Sequence, residues 1–152
     1  MTEQPGAHPD RSAGGGDVVR RYLASRGVAG FLIDGGLSEM ASRWQAIATS
    51  AERYERTLDD WLNDVELRDI LAGAIDVASE PDRAAVRSSI DRSDAVFRAA
   101  TVETGPLWGA AVAASDGHDR ARQWWYFRRP KHPGAELAEE LKTAGLLELH
   151  RR

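Results

Sequence analysis

The stretch "TLDDWLNDVELRD", residues 57–69, places five carboxylates among large apolar side chains. Its carboxylates belong to Asp59, Asp60, Asp64, Glu66 and Asp69. Thr57 stands three residues before Asp60, which is the spacing of a capping box, where a hydroxyl and a carboxylate satisfy the first free amides of a helix. Acids in the first turn also meet the positive end of the helix dipole. The pattern therefore predicts that a helix begins at this threonine.

The apolar residues that follow change phase along the chain. At 100° per residue, one face carries Leu58, Trp61, Leu62 and Val65. Nearly the opposite face carries Leu67, Ile70, Leu71, Ala74, Ile75 and Ala78. A surface helix buries one apolar stripe against one core. The sequence therefore predicts a break near Asn63–Asp64, with one of these two residues capping a second helix that runs to about Ala78.

A metal site is the alternative interpretation of the acids. Asp59, Asp60 and Asp64 are spaced like the aspartate-rich motif of isoprenoid synthases, in which carboxylates on one helical face hold magnesium ions and a diphosphate. The chain is short for such a cavity, a second acidic motif is not evident, and the predicted break would separate the carboxylates. Capping and solvation are favoured, so the sequence assigns no catalytic residue, no metal ligand and no cofactor.

Charge is distributed unevenly along the 152 residues. The whole chain has a net charge of −4, whereas residues 57–82 hold eight carboxylates and a single base, Arg68, which leaves seven net negative charges. An acidic surface of this kind attracts a cationic partner, although charge runs are more often solvated helix faces. The chain has no cysteine, which excludes disulfides and thiolate metal sites and is compatible with the cytoplasm.

Other patterns predict a helical bundle. Residues 1–16 are predicted to be a disordered tail without a secretory signal, with a flexible glycine joint at 14–16. Asp17 is predicted to cap a first helix that stops at Gly27. The clearest apolar stripe, which predicts an amphipathic helix, is Leu37, Met40, Trp44, Ile47, Ala48, Ala51 and Tyr54. The three residues 34–36, Asp-Gly-Gly, are predicted to break the chain before this helix. Further helices are predicted over about 81–100, after Pro106 with a stop at Asp116–Gly117, and over about 133–144 with a stop at Gly145. No membrane-spanning run is present.

Within the predicted helix 81–100, one stripe and two charge pairs stand out. The stripe is Val86, Ile90, Ser93, Phe97 and Ala100. Arg87 with Asp91, and Asp94 with Arg98, are spaced four residues apart, which predicts ion pairs on the solvated face.

The segment 119–132 combines aromatics with basic residues. Four consecutive rings and a following proline predict an extended chain over 122–130. One interpretation is that the rings close the core while Arg128 and Arg129 pair with Asp59, Asp60 or Asp64. Trp124 and Trp125 beside arginines are also typical of a protein interface. Nucleic-acid binding through residues 120–131 is the least favoured alternative.

Several of these motifs together resemble a group of small helical bacterial proteins. The resemblance covers roughly residues 37–130 and rests on Trp44, Tyr54, "TLDDWLNDVELRD", "FRAAT", "LWG" and "WWYFRRP". It implies that the acidic stretch, the aromatics and the arginine-rich end belong to one module, and it implies no activity.

The sequence thus predicts one all-α domain, residues 17–152, of five or six helices with one short extended segment near 122–129. The expected function is that of a non-enzymatic protein-interaction module of the bacterial cytoplasm. Its acidic surface suits a basic protein partner, and the size and charge of the chain are similar to those of antitoxins or immunity proteins. The alternative is an enzyme using magnesium at Asp59, Asp60 and Asp64. The predicted binding residues are Asp59, Asp60, Asp64, Glu66, Asp69, Trp124, Trp125, Arg128 and Arg129.

Overall fold

The computed structural model describes residues 11–147, and their side chains from residue 16 onward. This range forms a bundle of six α-helices, as predicted, and also contains a small antiparallel sheet of two strands, of which the first was not predicted. The helices are α1 Arg11–Ser25, α2 Gly30–Ser50, α3 Leu58–Val77, α4 Glu80–Ala100, α5 Ala110–Asp116 and α6 Ala135–Thr143. The strands are β1 Thr101–Glu103 and β2 Arg128–Pro130, paired so that Thr101 faces Pro130. No helix in the described range is long and apolar enough to cross a membrane.

Helix α3 is continuous, so the predicted break at Asn63–Asp64 is wrong. It contacts α1, α2, α6 and the turn before β2, and residues from both apolar stripes are buried. These residues are Trp61, Leu62, Val65, Ile70, Leu71 and Ala74. A helix with neighbours on several sides can bury side chains in several directions, and the rule of one stripe per helix holds only for surface helices.

The predicted capping box at the start of α3 is confirmed. The Thr57 hydroxyl accepts a hydrogen bond from the Asp60 amide at 3.2 Å, and the Asp60 carboxylate accepts one from the Thr57 amide, also at 3.2 Å. Hydrogen bonds from the Thr57 side chain and backbone lower the pKa of Asp60. Asp59 is exposed in the same first turn, near the positive end of the helix dipole.

An ion pair between a buried arginine and a partly buried aspartate joins α3 to α4, which contradicts the charge pairing predicted for α4. Asp94 accepts two hydrogen bonds from Arg68, at 2.9 and 3.0 Å, and a third from the Trp44 indole at 2.8 Å. Arg68 is 8% exposed, and the Trp125 ring lies 4.5 Å from its guanidinium carbon. Asp94 therefore faces the interior, because a carboxylate with three donors can be buried between helices.

The other predicted pair of α4 is also replaced. Arg87 contacts Glu80 at 3.3 Å instead of Asp91, and the guanidinium of Arg98 stacks 4.1 Å above the Trp124 ring instead of binding Asp94. The predicted apolar stripe of α4, from Val86 to Ala100, is buried as expected.

Helix α1 does not begin where the sequence predicts, whereas the apolar stripe predicted for α2 is buried as expected. Helix α1 begins at Arg11, so glycines 14–16 lie within a helix and Asp17 does not cap it; residues 1–10 lie outside the described range. Val19 and Leu23 are buried and anchor the C-terminal half of α1 in the core. The helix continues from there towards its N-terminus. In α2, Gly36 has a φ of 64° and interrupts the helix, as the predicted break at 34–36 requires. All seven residues of the predicted α2 stripe are buried.

The aromatic segment is extended only at its end. Residues Trp124–Phe127 form a 3-10 turn, and β2 follows. The predicted extension over 122–127 is wrong, because residues 124–127 turn, and this turn buries Trp125, Tyr126 and Phe127 together. The predicted pairing of Arg128 with the acids of α3 is also wrong. Its guanidinium binds the Thr101 hydroxyl at 2.7 Å and the carbonyl oxygens of Arg98 and Thr101.

The C-terminal helices agree with their predicted stops. Helix α5 begins at Ala110, a few residues later than the predicted start at Pro106, and ends at Gly117 with a φ of 68°. In α6, Leu137 and Leu141 are buried, and Gly145 follows the helix with a φ of 72°.

The close contact between α1 and α3 generates a test. A Cβ added at Gly73 would lie 1.7 Å from the Tyr22 hydroxyl oxygen, whereas one added at Gly16 would meet nothing closer than 3.5 Å. We expect Gly73→Ala to lower the free energy of unfolding by about 1–3 kcal/mol through overpacking. Gly16→Ala should raise it by about 0.5–1 kcal/mol, because alanine favours the helix. Urea denaturation measures both, and two changes of the same sign would contradict this packing.

A candidate binding cleft between helices α1 and α3

A polar cleft of about 450 Å³ lies between α1, α3 and the segment that follows α5. We call it the acidic cleft, because four carboxylates and two guanidinium groups line it. Its charged residues are Asp69, Asp76, Asp116, Asp119, Arg26 and Arg122. Its remaining surface includes Tyr22, Gly73, Gln123 and Trp125.

The wall between α1 and α3 is fixed by a close helix contact and an ion-pair network. Tyr22 packs its hydroxyl against Gly73, where any side chain would collide with it. Just after the end of α1, Arg26 donates to the Tyr22 hydroxyl at 2.9 Å and to Glu66 at 3.0 Å, and it lies 3.5 Å from Asp69. The side chains of Arg26 and Glu66 are about one-third exposed. The network therefore adds little to the free energy of unfolding and mainly fixes the orientation of these side chains.

The opposite wall is an irregular segment organised by Asp119. Its carboxylate accepts hydrogen bonds from the backbone amides of Ala121 and Arg122, at 2.7 and 3.1 Å. These backbone hydrogen bonds, that from Arg122 foremost, lower the pKa of Asp119 below its ordinary value of 3.8. Gln123 then joins the two walls, because its side chain donates to Asp69 at 3.0 Å and accepts from the Asp119 amide at 3.1 Å.

Beneath the cleft, Tyr126 connects the aromatic turn to the same network. Its hydroxyl donates to Glu66 at 2.8 Å, and its ring is 2% exposed. Burial, and then the hydrogen bond to Glu66, raise the pKa of Tyr126, so the phenol stays protonated and remains a donor. Glu66 thus receives hydrogen bonds from Arg26 and from Tyr126, on opposite sides of the wall.

The carboxylates of the cleft divide into two groups. Asp69 and Asp119 are engaged in the walls. Asp76 is exposed and, within the described residues, has no hydrogen bond or ion pair, and a carboxylate oxygen of Asp116 lies 3.9 Å from Nε2 of His118. The cleft therefore offers two available carboxylates to a cationic group. Among the described residues, no group of three or more His, Cys, Asp or Glu side chains is arranged to hold a metal ion.

The acids predicted as one binding surface are separated along α3. Glu66 and Asp69 lie in the wall of the acidic cleft. Asp59, Asp60 and Asp64 lie in the first two turns of the helix and do not line the acidic cleft; Asp60 serves the capping box. Asp64 accepts a hydrogen bond from the buried Tyr54 at 2.6 Å, and burial raises the pKa of its carboxyl group.

The predicted aromatic and basic residues also have separate surroundings. Trp125 is 3% exposed and packs over Arg68, whereas Trp124 is half-buried beneath Arg98. Arg128 binds the backbone around β1, and an Nη of Arg129 donates to the Pro130 carbonyl oxygen at 3.0 Å. Of these residues, only Trp125 lines the acidic cleft.

Sequence reasoning missed Tyr22, Arg26, Asp76 and Gln123 as members of a site. Gly73 stands between Ala72 and Ala74 in α3, and small residues in a row are the visible signal of a close helix contact. The partner of that contact depends on how α1 and α3 align, which no short pattern specifies.

Comparison of the chain with protein-family models, with curated proteins and with solved structures found no match in any of the three.

The role of Asp119 generates a test by hydrogen exchange. We expect Asp119→Ala to reduce the exchange protection of the Ala121 and Arg122 amides by about tenfold, because both lose their acceptor. Since folding lowers the pKa of Asp119, its stabilising effect is present above pH 3.8 and is lost as the pH falls through the folded value. Asp116→Ala is the matched control and should leave both amides unchanged. Equal loss in the two variants would contradict the assignment.

Proposed function

We propose that the chain is a protein-binding module whose acidic cleft receives a basic segment of its partner. The observation that carries this proposal is the pair of available carboxylates, Asp76 and Asp116, on a cleft whose other acids are already bound. An arginine or lysine side chain entering the cleft would gain charge-assisted hydrogen bonds from two carboxylates that accept no hydrogen bond within the described residues.

Preorganisation of the walls supports this proposal. Arg26, Glu66, Asp69 and Gln123 link α1, α3 and the segment after α5 through side-chain hydrogen bonds of 3.0 Å. A partner therefore meets a cleft that is already shaped, and little ordering of the cleft opposes binding. The charges also attract a basic partner before contact, which favours fast association at low salt.

Helix α5 supplies an apolar surface beside the cleft. None of its seven residues is buried. Val112 within the helix and Trp108 just before it are each 38% exposed. Asp116, at the C-terminal end of the helix, lines the cleft. Exposed apolar side chains next to charged groups are typical of interfaces, whose core is apolar and whose rim is polar. A basic, amphipathic segment is the chemistry that fits both surfaces.

This proposal moves the binding surface predicted from the sequence. Glu66 and Asp69 remain in it as positioning residues, Asp76 and Asp116 join it, and Asp59, Asp60 and Asp64 fall outside it. A partner that exposes a basic site to be covered, as the partners of antitoxins and immunity proteins do, is the version favoured by charge. The cytoplasm remains the expected location on the grounds of the sequence.

The proposal is tested with a short arginine-rich peptide, acetylated and amidated, and a glutamate-rich peptide of equal length. We expect the basic peptide to shift the amide resonances of Gly73, Asp76 and Gly117 in two-dimensional NMR spectra. Asp76→Asn combined with Asp116→Asn should weaken its binding by about tenfold, because each carboxylate supplies a charge-assisted contact.

Asp59→Asn is the matched control for this measurement. It removes an exposed carboxylate from the same helix, at the end away from the cleft, and should leave the affinity within about twofold. Binding lost equally in this control would indicate attraction by net charge alone. Shifts that map to the first turn of α3 would contradict the proposal and favour the originally predicted surface.

A further inference from the structure

A second feature of the surface lies at the N-terminal end of α3. There a pocket of about 350 Å³ lies between the C-terminal half of α2 and the loop that joins α2 to α3. It shares no lining residue with the acidic cleft. Its polar lining is dominated by three arginines, Arg43, Arg53 and Arg56, and we call it the arginine pocket.

We propose that the arginine pocket binds an oxyanion group, a phosphate or a carboxylate, carried by a small organic molecule. The guanidinium group presents a planar fork of donors that matches the two oxygens of such a group. Arg43 and Arg53 are exposed, and within the described residues neither has a hydrogen bond or a salt bridge. Their donors are therefore available to a ligand.

The backbone that carries these arginines is held in place although it is irregular. Tyr54 is 4% exposed, and its carbonyl oxygen accepts a hydrogen bond from the Gly134 amide at 2.7 Å. The carbonyl oxygen of Glu52 accepts one from the His132 amide at 2.9 Å. The capping box of Thr57 fixes the end of the same loop. Two arginines of this loop thus face Arg43 of α2 from a defined backbone.

The remaining lining indicates the body of the ligand. Ala46 and Ile47 contribute apolar surface, and Ser50 contributes a hydroxyl. The lining also contains the carboxylates of Glu55 and Asp64, so three positive groups oppose two negative ones. Arg56 is additionally paired with Asp60 at 3.1 Å.

This balance argues against a highly charged ligand. It fits a molecule with one anionic group and with a hydroxyl or amine that donates to Asp64. The carboxylate of Asp64 already accepts from Tyr54 and holds two oxygens on which further donors can bind. The chemistry is therefore that of a small hydroxylated or aminated acid or phosphomonoester.

The experiment uses the full chain, with sodium phosphate and sodium acetate titrated separately at constant ionic strength maintained with chloride. We expect saturable changes in the amide resonances of Ser50 to Arg56 with at least one of the two anions. The anion that saturates identifies phosphate or carboxylate as the recognised group. Arg43→Gln combined with Arg53→Gln should weaken this binding by about tenfold or more, because two charge-assisted contacts are lost.

Arg92→Gln is the matched control, because Arg92 is an exposed arginine of α4 outside the pocket. It should leave the affinity unchanged within about twofold. All the substitutions are at exposed positions, and unchanged melting temperatures verify that the variants fold. The proposal is overturned if neither anion gives a saturable change at Ser50 to Arg56. It is also overturned if the double variant and the control lose affinity equally.

Discussion

The bidentate contact between Arg68 and Asp94 is the interaction on which the rest of this structure depends. It joins the middle of α3 to α4, and the Trp44 indole adds a donor from α2. Removing two charges from water costs several kcal/mol per ion. The bidentate geometry and the Trp44 hydrogen bond to Asp94 oppose that cost, whereas Nη1 of Arg68 is buried and, within the described residues, has no hydrogen-bond partner. The Trp125 ring, 4.5 Å from the guanidinium carbon, covers the pair on the side of the aromatic turn. One ion pair therefore orients three helices and the turn before β2.

The same contact positions the acidic cleft. Trp125 lines the cleft. Gln123 and Tyr126, which lie close to it in sequence, donate to Asp69 and Glu66 respectively. On α3, Glu66 is two residues before Arg68 and Asp69 is one residue after it. Helix α3 consequently directs Arg68 inward and its flanking carboxylates towards the cleft. Most of the acids of residues 57–69 already have partners inside the fold. Asp60 caps a helix, and Asp64 accepts a hydrogen bond from Tyr54. Glu66 and Asp69 contact Arg26. The carboxylates left available to a partner are fewer than the charge count suggests.

The sequence predicts those parts of the fold that depend on short-range chemistry. The capping box at Thr57, the apolar stripes of α2 and α4, and the glycine stops at Gly27, Gly117 and Gly145 all follow from local rules. The errors arise where long-range contacts decide. Helix α3 buries two stripes because it has neighbours on several sides. Asp94 pairs with Arg68, which is distant in sequence, instead of with Arg98, which is four residues away. The walls of the cleft were not predictable because they require the alignment of α1 with α3.

A double-mutant cycle between Arg68 and Asp94 tests the central claim most directly. Arg68→Met and Asp94→Leu each leave one charge buried without its partner, so each should lower the free energy of unfolding by about 3–5 kcal/mol. The double variant removes both charges, and its loss should fall well below the sum, with a coupling energy of about 2 kcal/mol or more. Urea denaturation of the four proteins gives these values. Additive losses of less than about 1 kcal/mol each would contradict the claim that this ion pair organises the fold.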